Sequence, residues 1–75
     1  MAAIQAGKYR HYKGMDYEVL FVARHTETEE ELVIYRALYG EFGLWARPLQ
    51  MFAGSVEIGG ESQPRFRYLG PGDGA

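Results

Sequence analysis

Glycine interrupts this chain at short intervals, and this spacing is the feature that most limits its possible folds. Ten glycines fall among 75 residues, and the runs between them are rich in β-branched and aromatic residues. Glycine destabilises helix interiors and is common in tight turns. No run carries a sustained helical period of apolar residues, so the pattern predicts several short strands joined by turns.

The run over residues 17–25 has the clearest strand pattern. Tyr17, Val19, Phe21 and Ala23 alternate along it and are predicted to share one face. The positions between them include further apolar side chains, so both faces of this strand are predicted to be covered at one end. A small, tightly curved sheet meets that requirement.

The run over residues 32–39 is predicted to be a strand, with a helix over residues 29–38 as the main alternative. Glutamates at the start of that segment and its Leu and Ile content are compatible with a helix. Val33, Ile34 and two tyrosines favour an extended backbone. A helical turn is predicted at residues 49–52, and the last two strands are predicted to pair about a Gly-Gly turn. The predicted strands are residues 8–12, 17–25, 32–39, 44–47, 55–58 and 65–69.

Together these elements predict a mainly β fold, a small SH3-like β-barrel of five to six short antiparallel strands with one short helical turn. Closure of a barrel removes exposed strand edges. Cysteine is absent, so stability must come from the apolar residues, 47% of the chain, rather than from disulfides. Residues 7–69 are predicted to form one domain, and residues 1–6 and 70–75 are predicted to be disordered.

The charge balance limits the classes of partner. The net charge of −2 argues against general affinity for nucleic acid. Four of the ten acids lie together within residues 27–31, which leaves a small positive excess elsewhere and allows local binding of an anion. The sequence lacks a signal-peptide pattern and an apolar run of membrane-spanning length, so a soluble cytoplasmic protein without a membrane partner is expected.

The segment around His25 most resembles a catalytic loop. His25 can act as a base, Glu27 can orient it, and Thr28 offers a hydroxyl. A spacing of two residues does not by itself supply the geometry of a triad. The favoured interpretation is therefore that these polar side chains cap the backbone of a loop.

A metal site is the second chemical possibility. His11, His25 and Glu27 are ligand types found together in zinc sites. Their spacing matches no ligand motif, and two histidines leave the choice of a further ligand arbitrary. Neither a metal site nor a cofactor is therefore predicted.

Arginines among aromatic residues form the third possibility, an anion cradle. The planar guanidinium binds phosphate or carboxylate through two parallel hydrogen bonds, and aromatic faces can stack on a ligand. The alternative is that the arginines pair with the glutamates and cover tyrosine rings. Tyr35 and Arg36 are adjacent in a predicted strand, so they should point to opposite faces. The cradle candidates are Tyr35, Arg36, Tyr39, Trp45, Arg47 and Arg65, with Arg67 as a further arginine and His25 at the rim.

Several motifs, in order, resemble the bacterial family named domain of unknown function 1653 (DUF1653). They include GKYRHYKG at residues 7–14, ARHTETEE at residues 23–30, VIYRALYG at residues 33–40 and LWARP at residues 44–48. The resemblance covers residues 7 to about 68 and implies a small SH3-type barrel with no established activity. The matched polar and aromatic motif residues are His11, Tyr12, His25, Glu27, Thr28, Tyr35, Arg36, Tyr39, Trp45, Arg47 and Arg65.

Three functional hypotheses follow from these observations. The leading one is a non-enzymatic binding module for an anionic or peptide-like ligand, or for a nucleic-acid or protein partner. The second is a small hydrolase that uses His25 with Glu27 or Thr28. The third is a structural or oligomeric role, as a monomer or weak homodimer, in which Trp45 and Phe42 bury an interface.

Overall fold

The computed structural model describes residues 4–71, and these residues fold into antiparallel strands with one short helix. The mainly β prediction is confirmed. Seven strands, rather than five or six, occur in the described part of the chain. They are β1 (Gly7–His11), β2 (Asp16–Arg24), β3 (Glu31–Ala37), β4 (Leu44–Pro48), β5 (Ser55–Ile58), β6 (Glu61–Pro64) and β7 (Phe66–Gly70), with α1 (Leu49–Phe52) between β4 and β5.

Five of these strands form one sheet in the order β4-β3-β2-β1-β7, and β5 and β6 form a separate hairpin. The predicted pairing of the last two strands about Gly59-Gly60 is wrong, because β5 pairs with β6 and β7 pairs with β1. Both glycines have positive φ, 60° and 84°, so the chain reverses within two residues and pairs again at Glu61. Strands β4 and β7 lie at the two ends of the sheet, and SH3-like closure stays a prediction.

A β-bulge in β2 changes which side chains face the core. The register of β2 on β3 shifts between Val19 and Phe21, which leaves Leu20 as the extra residue. Val19 is buried before the bulge, whereas Phe21 after it is 57% exposed and Val22 packs against the core. The prediction that Phe21 shares a face with Val19 is therefore wrong, because one unpaired residue reverses the alternation.

One face of the five-stranded sheet, called here the inner face, carries the core. Helix α1 places Leu49 and Phe52 against this face. The Phe52 ring is 1% exposed and stacks on Phe66, with ring centroids 4.0 Å apart. Aromatic rings thus supply most of the buried volume in a chain without disulfides. The buried core residues are Tyr9, Val19, Val33, Tyr35, Leu49, Phe52 and Phe66.

The remaining local predictions concern strand 3 and the two ends of the chain. The segment over residues 31–37 is a strand, so the helical alternative for it is wrong. Ile4 packs against the core before β1, and Gly70 still pairs with Lys8 as the last residue of β7. The predicted disorder of residues 1–3 and 72–75 lies outside the described residues.

Candidate anion-binding site

Aromatic and arginine side chains meet on the inner face, at the end of the sheet where β1 ends and β2 begins. Strand pairing produces this arrangement, because residues directly opposite each other in antiparallel strands share a face. His11 lies opposite Phe66, and Tyr35 lies opposite Trp45. We call the group the aromatic–arginine cluster; it consists of His11, Tyr17, Tyr35, Tyr39, Arg47, Arg65 and Phe66.

Tyr17 lies at the centre of this cluster. Its ring makes edge contacts with the rings of Tyr35, Tyr39 and Phe66, with centroids 5.3, 5.5 and 5.6 Å away. Its hydroxyl is hydrogen-bonded to the Tyr39 hydroxyl at 2.7 Å. Burial and this hydrogen bond raise the pKa of Tyr17 to about 12. Tyr17 is therefore a neutral hydroxyl at physiological pH, fixed in place by aromatic neighbours.

Arg47 brings a positive charge to the cluster. It lies opposite Val33 on strand β4 and therefore points to the inner face. Its Nε donates a hydrogen bond of 3.4 Å to the Tyr35 hydroxyl, and its guanidinium carbon lies 5.6 Å from the centre of the Phe66 ring. The hydrogen bond to Tyr35 uses only Nε, so the terminal N–H donors of the guanidinium are left for another partner.

Arg65 adds a second charge from the break between β6 and β7. Its backbone N–H donates to the Gly54 carbonyl at 3.0 Å, and its carbonyl accepts from the Tyr12 N–H at 2.9 Å. Its Nε is buried and has no hydrogen-bond partner among the described residues. Within residues 4–71 the single ion pair is Arg10–Asp16, so neither Arg47 nor Arg65 is matched there by a carboxylate.

The pKa of His11 responds to the positive charges of this region. Burial lowers the pKa of His11, and the charges of Arg47, Arg65 and Lys13 lower it further. Its Nδ1 accepts a hydrogen bond from the Lys13 N–H at 3.2 Å. The neutral ring therefore carries its proton on Nε2, where it is a donor rather than an acceptor.

A groove of about 180 Å³ adjoins His11. Arg10 and Arg67 line it and lie directly opposite each other in β1 and β7. Asp16 binds Arg10 through two hydrogen bonds of 2.8 and 3.2 Å. Arg10 is therefore paired with a carboxylate, and no ion pair of Arg67 occurs among the described residues.

Comparison with known proteins identifies the family. The family model named "Protein of unknown function (DUF1653)" matches residues 7–68. The chain belongs to the DUF1653 family. Its fold is similar to the crystal structure of a DUF1653 protein from Bordetella bronchiseptica, with 41% identity, a TM-score of 0.83, and coverage of 91% of this chain and 90% of that one. No curated protein matches the chain.

Most of the predicted binding residues of this DUF1653 protein come together on the inner face. Tyr35, Tyr39 and Arg47 are joined there by hydrogen bonds and ring contacts, and Trp45 stands beside Tyr35 at the sheet edge. Arg65 precedes Phe66, and its charge acts on His11. Trp45 is 60% exposed, so its ring is available to a partner.

Two predicted binding residues lie elsewhere. Arg36 points to the outer face, opposite Glu18 and Leu44. His25 follows the far end of β2, about 25 Å along the strand from Tyr17 at roughly 3.3 Å per residue. The structure therefore does not bring Arg36 or His25 to the cluster.

The His25 loop has the geometry of a capped turn. The Nδ1 atom of His25 accepts hydrogen bonds from the backbone N–H groups of Glu27 and Thr28 at 3.0 and 3.3 Å. The Thr28 hydroxyl accepts from the Glu30 N–H at 3.2 Å. The side chains of His25 and Thr28 thus bind their own loop backbone, and the Glu27 carboxylate makes no hydrogen bond to His25 among the described residues.

The described part of the chain contains no group of three or more His, Asp or Glu side chains arranged to hold a metal ion. His11 and His25 belong to different ends of the sheet.

None of the helices in residues 4–71 is long and apolar enough to cross a membrane.

The predicted binding set omitted three members of the cluster, His11, Tyr17 and Phe66. The alternation of Phe66 with Tyr68 indicated a shared face, and Tyr17 begins the strongest strand pattern. The sequence pattern did not indicate that β1 pairs with both β2 and β7, and this pairing places the three residues side by side. No local pattern encodes such long-range pairing.

Proposed function

We propose that this DUF1653 protein is a non-enzymatic binding module whose aromatic–arginine cluster binds a small anionic ligand. The observation that carries the proposal is the pair of arginines without carboxylate partners in the described chain, beside a histidine held neutral. A phosphate or carboxylate would supply the missing acceptors. Arginine binds both through charge-assisted hydrogen bonds.

The buried Nε of Arg65 has no acceptor among the described residues, and the guanidinium would have to turn for a ligand to reach this donor. A buried donor without an acceptor costs about 1–3 kcal/mol, and such groups are rare in folded proteins. The alternative to ligand binding was that the arginines form salt bridges with the glutamates of residues 27–31. None forms within residues 4–71.

The surrounding rings indicate what else the ligand carries. Trp45 is largely exposed, and Tyr39 presents part of its ring to solvent beside Tyr17. Such faces contribute through stacking and apolar contact. A ligand with a flat or apolar body next to its anionic group therefore fits this surface better than a bare ion.

The hydrolase hypothesis receives less support. The proposed base, His25, accepts hydrogen bonds from its own loop on Nδ1, and no described hydrogen bond links it to the Glu27 carboxylate that was to orient it. A nucleophile and its base require mutual hydrogen-bond reach. The loop geometry accounts for these residues without catalysis.

A chemical-shift titration tests the binding proposal. Phenyl phosphate carries both the anionic group and a flat ring, and inorganic phosphate carries the anion alone. We expect shifts to concentrate at His11, Tyr39, Trp45 and Arg47, with tighter binding of phenyl phosphate. Loss of one charge-assisted contact in Arg47→Ala, worth about 1.5–3 kcal/mol, should weaken binding by roughly tenfold to a hundredfold.

Two variants serve as controls. Arg24→Ala removes an exposed arginine at the far end of β2 and should leave the affinity unchanged. Arg47→Lys keeps the charge without the planar fork, so it should bind with intermediate affinity. Equal losses in Arg47→Ala and Arg24→Ala would show only a general charge effect, and shifts confined to the His25 loop would overturn the proposal.

A further inference from the structure

Strand β4 ends the five-stranded sheet with one open hydrogen-bonding edge. The Ala37 N–H donates to the Gly43 carbonyl at 3.0 Å. This bond identifies which residues of β4 are hydrogen-bonded to β3 and which are not. Hydrogen-bonded pairs alternate in antiparallel strands, so Trp45 and Arg47 bond to β3, while Leu44 and Ala46 direct their N–H and carbonyl groups outward. Pro48 occupies the same kind of position as Leu44 and Ala46, whose N–H groups point away from β3. The N–H that proline lacks therefore removes no hydrogen bond to β3.

This edge is weakly protected against pairing. Native edge strands carry charges, prolines, bulges or covering segments, and β4 has only Pro48 at its end and Arg47 on its inner face. On the outer face, β4 presents Leu44, which is 59% exposed, followed by Ala46 and Pro48, and none of the three is charged. The opposite edge strand, β7, carries Arg67 instead. The apolar edge of β4 is therefore the better candidate for strand addition.

We propose that a second copy of this chain pairs with β4 antiparallel, across a two-fold axis at Ala46. In this register the two Ala46 residues exchange two backbone hydrogen bonds. Each Leu44 N–H also donates a hydrogen bond to the Pro48 carbonyl of the second copy. A two-fold pairing closes on itself and gives a dimer rather than a fibre.

The side chains favour this register over its neighbours. It places Trp45 of each copy opposite Arg47 of the other on the inner face, which forms two cation–π contacts. On the outer face Leu44 meets Pro48 and Ala46 meets Ala46, so no like charges oppose each other directly. A register centred on Trp45 instead sets two Trp45 rings together and places Arg47 opposite Gly43, with no cation–π pair.

The second copy thereby extends the inner face beyond Arg47. Trp45 of the second copy would stand next to the aromatic–arginine cluster of the first. The pairing itself depends only on the edge and does not require the proposed ligand.

Cysteine cross-linking tests the register directly, because the chain has no native cysteine. Hydrogen-bonded antiparallel pairs have Cα atoms about 5.5 Å apart, within disulfide range. Under mild oxidation Ala46→Cys should convert to a disulfide-linked dimer, whereas Ser55→Cys, at an exposed position on β5, should remain monomeric. Equal cross-linking of both variants would overturn the proposal, and efficient linking of Trp45→Cys without Ala46→Cys would overturn the register.

Sedimentation equilibrium tests the dimer without a covalent bond. Wild-type protein should be dimeric at millimolar concentration, and Ala46→Pro, which removes only an outward N–H, should weaken association at least tenfold while circular dichroism stays unchanged. If Ala46→Pro fails to fold, Leu44→Lys supplies an edge charge with the same expected loss. A monomeric wild-type mass at that concentration overturns the proposal.

Discussion

At the scale of single residues, the cluster consists of groups whose neighbours set their protonation. Burial raises the pKa of Tyr17 and lowers that of His11, in each case favouring the neutral form. Tyr39 reinforces the first effect, and Arg47 reinforces the second. Both groups are therefore neutral hydrogen-bonding partners beside fixed positive charge.

Alkaline titration followed by tyrosine absorbance checks the state of Tyr17. Tyr17 should ionise near a pKa of about 12, while burial also raises the pKa of Tyr9 and delays its ionisation. Tyr39→Phe should lower the Tyr17 value because the hydrogen bond is lost while burial remains. Because the folded pKa lies above the unfolded value, stability should fall as the pH rises above 10. Tyr12→Phe is the control and should keep the late step; ionisation of every tyrosine near pH 10 would contradict the prediction.

Proton NMR of the His11 ring across pH checks the positive potential. Its pKa should lie below 6.5, and Arg47→Ala should raise it part of the way back, since burial remains the main cause. The unfolded state takes up this proton first, so the stability contributed by neutral His11 is present above pH 6.5. It should be lost as the pH falls through the folded pKa.

The assignment of that signal needs His25→Gln, which removes the other histidine resonance. Arg24→Ala should leave the His11 pKa unchanged. Added phenyl phosphate should raise the pKa if the anion binds beside the arginines, because a negative charge favours the imidazolium. An unchanged His11 pKa in saturating ligand would place the anion elsewhere.

At the scale of elements, irregular positions in the strands decide which surfaces exist. The bulge at Leu20 turns Phe21 outward and brings Val22 to the core. A second register shift, between Lys8 and Tyr9, occurs where β1 meets β7. At that point the backbones approach closely, and a glycine is required.

Gly7 is the position where this requirement is strongest. A Cβ atom there would lie 2.5 Å from the Gly70 carbonyl oxygen and 2.9 Å from Tyr68 Cε1, and φ is +140°. Gly7→Ala should therefore lower the free energy of unfolding by about 2 kcal/mol or more, measured by urea denaturation.

Gly14→Ala is the matched control for that measurement. Gly14 also has positive φ, +104°, but a Cβ atom would meet nothing within 4 Å. It should show backbone strain alone, about 1–3 kcal/mol. A smaller loss in Gly7→Ala than in Gly14→Ala would mean that β1 and β7 separate easily at this point.

At the scale of the whole molecule, one aromatic core must stabilise a short chain. Phe52 connects α1 to the sheet through its stack on Phe66 and its edge contact with Tyr9, at 5.3 Å between ring centroids. The aromatic–arginine cluster shares Phe66 with this core. The candidate site is therefore connected to the core through this ring.

Thermal and urea unfolding of Phe52→Ala test this dependence. The change should cost about 3–5 kcal/mol, much of the stability expected of so small a domain. Phe52→Leu keeps an apolar side chain and should cost less. Met51→Ala alters an exposed neighbour on the same helical turn and should stay within about 0.5 kcal/mol. Similar losses at residues 51 and 52 would show that the helical turn does not carry the core contact.

The sequence by itself determined the local structure and the family. Alternating side chains and glycine turns placed most strands to within a residue or two, as at β2, and the helical turn at residues 49–52 was predicted with its observed bounds. These features depend on neighbours along the chain, which is why pattern reasoning reaches them. The same local reasoning placed Tyr35 and Arg36 on opposite faces, as observed.

Only the tertiary structure decided how the strands pair. It joined β7 to β1 and placed an unpredicted strand, β6, beside β5. It also brought His11 and Phe66 to Arg47 and left Arg36 on the other face. Pairing of distant strands and the position of a bulge depend on the combined packing of many residues, and no short stretch of sequence carries that information.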